Sequence, residues 1–184
     1  MNKEKNKHKA EKTVPNENTK KPIVYHTPRY HCVHLKFLTD FLRATQKSVE
    51  GFAGSYSASV VLRRQLNSDD MLLSKARELF ERNGYILNVS LEDKSPSTEN
   101  DDVHIILDIP DIIEERNVNI GFVFDMLRKQ NVNLNELADM INVTPGAVWG
   151  WKRVDDMRIS YLFRIKKCFD CNLVFKVSKK KVAE

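Results

Sequence analysis

The sequence predicts a mainly α (α+β) protein made of two tandem helical units, each followed by a β-strand, with one extra strand in the linker. Three observations predict it. A set of residues recurs along the chain at an offset of 85 to 86 positions. Inside each copy apolar residues recur first at three and four, as on one face of a helix, and then at two, as on one face of a strand. Between the copies runs a polar, acidic stretch that holds one short apolar run.

Taken in order, residues 1–22 are rich in Lys, Asn and Glu and nearly free of apolar side chains. Such a stretch buries too little surface to offset its ordering entropy, so a disordered basic tail is expected. The first folded unit is expected at 23–92, where aromatic residues begin. The repeat sets its register: Asp40-Phe41-Leu42-Arg43 matches Asp125-Met126-Leu127-Arg128, and Phe52-Ala53 matches Leu137-Ala138. Asp69-Asp70-Met71 matches Asp155-Asp156-Met157, and Leu87, Val89 and Leu91 match Leu173, Phe175 and Val177. One inserted residue accounts for the change of offset. Phe37, Leu38, Phe41 and Leu42 form a helical stripe, and Phe122, Val123, Met126 and Leu127 its partner. Tyr85, Leu87, Val89 and Leu91 then alternate, as do Cys171, Leu173, Phe175 and Val177. Gly84 suits a left-handed helix end, and Asp170 and Asn172 suit the equivalent turn. In the acidic linker 93–119, Val103 to Ile109 reads as a strand ended by Pro110, which predicts a hairpin of 85–92 with 103–109. The second unit is expected at 120–178, followed by a basic tail, 179–184.

Composition narrows the function. Of 184 residues, 41% are hydrophobic and 30% charged, as in ordinary globular protein. No apolar run is long enough for a membrane helix, residues 1–21 lack the apolar segment of a secretory signal, and three cysteines make no disulfide framework. A reducing, cytoplasmic location is expected. The net charge of +5 is distributed as +5 over 1–33, +1 over 34–92, −6 over 93–119 and +5 over 120–184. Basic ends suit a polyanion, and equally serve solubility. Phosphate-binding glycine loops, GxSxG and HExxH are missing from the sequence, so no enzyme, cofactor or small-molecule substrate is expected.

The segment 132–153 carries the most information. Leu134, Leu137, Ala138 and Ile141 share one helix face, and Asn142 tolerates the left-handed turn. Val143 plugs the core, Thr144 is an N-cap and Pro145 a first helical residue. Val148 and Trp151 face inward on the second helix, leaving Gly146, Ala147, Trp149, Gly150 and Lys152 outward. In the first copy Val49, Phe52, Ala53 and Tyr56 are read as the first helix face, Ser57 as the turn, Ala58 as the plug and Ser59 as the cap. Leu62 and Leu66 then face in, and Val60, Arg63, Arg64 and Asn67 face out. Two short helices joined by a tight turn, the second capped and outward-facing, can set that second helix in a DNA major groove.

On these residues, and on the DDM-x-(Leu/Ile)-Ser pattern at 155–160, both copies resemble the lambda repressor–Cro (XRE-like) helix-turn-helix family, in a bacterial subtype with a C-terminal strand. The resemblance covers about 34–92 and 120–178 and is looser in the first copy. It implies two tandem five-helix domains, double-stranded DNA as partner, and a role as a bacterial or phage transcriptional regulator or antitoxin-like autoregulator. The implied DNA-binding residues are Ser48, Ser59, Val60, Arg63, Arg64 and Asn67, with Thr144, Pro145, Gly146, Ala147, Trp149, Lys152 and Arg153. A homodimer through strands or helices stays open, as does a pseudo-dimer within one chain. The outward face of 145–152 departs from the family in lacking Gln, Asn or Arg. The alternative is a protein-interaction module that keeps the fold with weak or no DNA binding.

Other features have structural readings. Asp69-Asp70 and Asp155-Asp156 suit helix capping and turns better than catalysis or metal binding. Cys168 and Cys171 form a CxxC, and His26, His31, Cys32 and His34 cluster, but Cys171 falls on the inward strand register, and no metal site is expected. Trp149 is left as either a DNA contact or part of a protein interface, and the lysines 179–181 as a solvated end or a phosphate contact.

Overall fold

The computed structural model of the chain describes residues 30–94, 105–107 and 120–180. The expected tail 1–22 and most of the linker 93–119 lie outside the described residues. The fold is mainly helical with a small sheet, in the order α1 (Lys36–Ala44), α2 (Val49–Ala53), α3 (Tyr56–Ser68), α4 (Leu73–Arg82), β1 (Tyr85–Asp93), β2 (Ile105–Leu107), α5 (Gly121–Lys129), α6 (Leu134–Met140), α7 (Pro145–Val154), α8 (Ile159–Phe169) and β3 (Cys171–Lys179). Four helices and a strand thus occur twice. Each half holds four helices among the described residues rather than five, and the fourth is followed by a left-handed residue, Gly84 or Asp170, at the entry to its strand.

The apolar stripes settle into one core. Phe37, Leu38, Phe41 and Leu42 of α1 are buried, as are Val123, Met126 and Leu127 of α5. In the first half the core is aromatic: Phe41 lies 4.7 Å from Phe80 and 5.4 Å from Phe52, ring centre to ring centre. In the second it is aliphatic, built from Leu137, Ala138, Ile141, Val148, Leu162 and Ile165. Phe37 of α1 stacks on Phe175 of β3 at 4.1 Å with the rings parallel to within 1°, so the two halves share this core.

The strand order is β1-β3-β2. The expected hairpin of 85–92 with 103–109 does not form. β1 runs antiparallel to β3 along nine residue pairs, and β2 takes the other edge of β3 in parallel. The long ladder wins because Leu87, Val89 and Leu91 meet Val177, Phe175 and Leu173, two inward rows of equal spacing, whereas the linker strand has only three residues to offer.

The register has a further consequence. Val89 pairs with Phe175, its own equivalent in the repeat, and Leu72 bridges Arg158, again its own equivalent. Around that bridge the backbone and serine contacts are reciprocated, while Arg158 adds an ion pair to Asp70 that its equivalent, Leu72, cannot return. The Leu73 amide donates to the Met157 carbonyl at 2.9 Å, and the Ile159 amide to the Met71 carbonyl at 2.9 Å. The Asp156 carboxylate accepts from the Ser74 amide at 3.0 Å and hydroxyl at 2.6 Å, while Asp70 accepts from the Ser160 amide at 3.1 Å and hydroxyl at 3.0 Å. Each half therefore caps the fourth helix of the other, placing a carboxylate at the helix end where the backbone dipole favours negative charge. A residue that meets its own equivalent lies on a two-fold axis, so the halves are joined as two subunits of a symmetric dimer would be.

Candidate nucleic-acid interface

The helix pair of the second half forms as its sequence predicts. Asn133 caps α6 in a capping box closed by Glu136, Leu137 and Ala138 are fully buried, and Asn142 adopts the left-handed region at φ 54°. Thr144 caps α7, its hydroxyl accepting from the Ala147 amide at 3.3 Å, and Pro145 takes the first helical position. Val148 is buried and Trp151 packs partly buried against Tyr161 at 4.7 Å. Thr144, Pro145, Gly146, Lys152 and Arg153 are exposed, Ala147 is half-buried, and Trp149 is 55% exposed. The Lys152 ammonium lies over the rings of Trp149 at 5.5 Å and Phe124 at 5.8 Å, holding the indole against α5.

The first half departs from its expected boundaries. Tyr56 is the first residue of α3 and is 82% exposed, not part of the inward face of α2. Ser57 and Ala58 lie inside α3 rather than in a turn. The turn is Gly54-Ser55: Gly54 ends α2 at φ 80°, and the Ser55 hydroxyl accepts from the Ala58 amide at 3.2 Å. Ser59 is therefore not the cap. It is 1% exposed, its hydroxyl donates to the Tyr56 carbonyl at 2.7 Å, and it offers nothing to a ligand. Three serines at alternate positions each have capping chemistry. The signal that separates them is Gly54, the natural helix-ending residue immediately before Ser55.

The other expected contacts of this half are accessible to different degrees. Arg63, Arg64 and Asn67 are exposed and Val60 is half-buried. Arg63 forms an ion pair with Glu50 of α2, which leaves Arg64 as the more available cation of the two. Ser48 caps α2, accepting from the Gly51 amide at 3.0 Å. With α3 starting earlier, Tyr56, Ser57 and Val61 join its exposed surface, residues the sequence reading missed.

Neither α3 nor α7 contains an Asp or Glu, and each carries two cations, Arg63 and Arg64 or Lys152 and Arg153, a charge pattern that α8, with Arg164, Lys166 and Lys167, shares. In α7, Gly146 and Gly150 sit in helical positions where an added Cβ would meet nothing within 4 Å. Glycine inside a helix costs about 0.5–1 kcal/mol relative to alanine. Among the described residues no contact calls for glycine there.

The remaining polar clusters act structurally. Asp69, left-handed at φ 50°, accepts from the amides of Val33, His34 and Leu35 at 2.9–3.0 Å, and Asp155 likewise from Ile120 at 3.1 Å. The Cys32 thiol donates to the Leu66 carbonyl at 3.2 Å, and burial, followed by the charge and hydrogen bond of Asp69, pushes its pKa up to about 11. Cys171 is 2% exposed, as its strand register predicts, while Cys168 is exposed. His26 lies outside the described residues. Among the described residues no group of three or more His, Cys, Asp or Glu is placed to hold a metal ion, and no helix is long and apolar enough to cross a membrane.

No protein-family model matches the chain, and no characterised protein or solved structure matches it either.

Proposed function

We propose that this protein binds double-stranded DNA through two tandem helix-turn-helix domains of the XRE-like kind and acts as a transcriptional regulator. The observation that carries the reading is the pair α3 and α7. Each is the second of two short helices joined by a tight turn. Each begins at a side-chain cap, exposes its outward face, and combines two cations with no carboxylate. A polyanion is the partner for which that charge pattern is made, since each cation near a phosphate releases counterions. The glycines of α7 add a reason for close approach. Within the proposal Arg64, Asn67 and Tyr56 supply the contacts of α3. Thr144, Trp149, Lys152 and Arg153 supply those of α7, where the indole suits an apolar base edge such as the thymine methyl.

The test is fluorescence anisotropy of the full chain with DNA fragments from its own genomic neighbourhood, across a salt series. One fragment bound tightly, with affinity falling steeply as salt rises, is the expected result. Absence of binding even at low salt would sink the reading.

One observation favours the interaction-module alternative. Trp149, Val154, Tyr56 and Val61, all on these two helices, are more than half exposed. Beside Trp149 lies an open groove lined by Phe124, Leu127, Val132, Leu134 and Lys152. Loss of DNA binding on Arg64→Glu separates the two readings, because a module that does not touch DNA has none to lose.

A further inference from the structure

We infer that a single chain occupies a single two-part DNA site, with its internal two-fold laid on the dyad of the site, and that the two half-sites differ in sequence. The inference rests on the DNA-binding reading above and adds stoichiometry and target architecture to it.

The argument starts from the symmetry. A two-fold rotation preserves height along its axis, so elements it relates lie at the same level and present corresponding faces. The axis passes through the Val89–Phe175 pair and the Leu72–Arg158 bridge, and it relates α3 to α7. Two second helices related in this way are what a two-fold dimer offers to a palindromic duplex. Here the dimer contact is used up inside the chain. β3 has β1 on one edge and β2 on the other, and the carboxylates of Asp70 and Asp156 are spent on each other's half. A second chain therefore finds no open copy of this contact.

Fusion also removes the constraint that keeps the subunits of a homodimer identical. At the same place in the repeat where α3 has Arg63, paired with Glu50, α7 has Trp149, with Asn135 of α6 lining the groove beside it. Arg64 corresponds to Gly150, and Val60 to Gly146. At these matched positions one half thus presents guanidinium groups and the other an indole on a glycine-lined helix, with its own guanidinium, Arg153, one turn further on. The matched positions favour different bases: arginine favours guanine edges, and an apolar ring favours thymine methyl groups. The matching site is an imperfect palindrome.

The experiment uses the full chain and the fragment that it binds most tightly. Native mass spectrometry gives the stoichiometry, and hydroxyl-radical footprinting gives the protected positions. One chain per duplex and two protected patches are expected. Arg64→Glu should erase one patch and Trp149→Ala the other, each weakening binding by about tenfold or more. Both side chains are exposed, and an unchanged thermal melt confirms that each variant is folded. Two chains on one symmetric site, or both variants erasing the same patch, would overturn the inference while leaving DNA binding intact. A wild-type chain that binds no fragment overturns the DNA-binding reading itself, and the inference falls with it.

Discussion

The two halves of this protein share one plan and carry it out with different chemistry. The first half packs four phenylalanines around one another, Phe37, Phe41, Phe52 and Phe80, whereas the second fills the same space with Leu, Ile, Val and Met. The first joins its second and third helices through Gly54-Ser55, and the second through Ile141 to Thr144, so α3 gains a turn at its start that α7 lacks. On the outward face of the third helix of each half, α3 carries Arg63 and Arg64 where α7 carries Trp149 and Gly150. At Arg77 of α4, where burial lowers the guanidinium pKa against the upward pull of Asp155 and Asp156, the second half has Phe163, which meets the edge of His34 at 4.9 Å. The features held in common include the strand register and the Asp–Ser caps about the two-fold, and the left-handed aspartates Asp69 and Asp155 within each half. The halves share how they hold each other and the charge pattern of α3 and α7, and they differ in core chemistry and in the side chains at matched outward positions.

That comparison can be broken most forcefully in the core. Phe41→Ala should destabilise the protein by about 3–5 kcal/mol, the usual cost of emptying a buried aromatic site. Both tryptophans, Trp149 and Trp151, lie in the second half. Urea unfolding followed by tryptophan emission should therefore shift together with the far-UV circular dichroism. A tryptophan transition that stays in place would mean the halves unfold independently.

The reciprocal caps come next. Asp156→Ala and Asp70→Ala should each cost about 1–2 kcal/mol, as loss of a helix cap does. Equivalence under the two-fold requires the two losses to be similar in a thermal melt. A clear loss from one and none from the other would show that the symmetry is not energetic.

The boundary between α2 and α3 gives a smaller and sharper test. Ser55→Ala should lose about 1 kcal/mol, as should Thr144→Ala in the other half, while Ser59→Ala should cost less, because its hydroxyl caps no helix and alanine is the better residue inside one. If Ser59→Ala proves the costlier of the two serine changes, the cap has been misplaced.

The smallest effect has the opposite sign. Gly146→Ala and Gly150→Ala should each stabilise the fold by up to about 1 kcal/mol, since the new methyl group meets open space. On the proposed function the same changes weaken DNA binding in the anisotropy assay. Unchanged binding by the stabilised variants would show that nothing approaches that face closely.

Much of this was legible in the sequence wherever the deciding residues are neighbours. Thr144-Pro145 starts a helix, Gly84 and Asp170 end one, and Asn142 turns the chain, because capping and left-handed geometry are settled within three or four residues. The inward rows at Leu87, Val89 and Leu91 and at Leu173, Phe175 and Val177 followed from period two alone. The aspartate pairs were recognisable as capping residues for the same reason. Which helix each aspartate caps was not. Asp70 lies four residues before Ser74, and Asp156 four before Ser160, so a local reading assigns each to its own helix. Only the tertiary structure crosses them over, because the Leu72–Arg158 bridge brings the two helix starts together. The partner of β1 was decided in the same way. The nearest strand in sequence was passed over for one more than 80 residues away, since nine matched pairs about a two-fold bury two apolar rows and three residues of linker cannot. Sequence determined the elements and their inward faces, which depend on short-range spacing. Tertiary structure decided the pairing of the halves, which depends on surfaces that exist only after each half has formed.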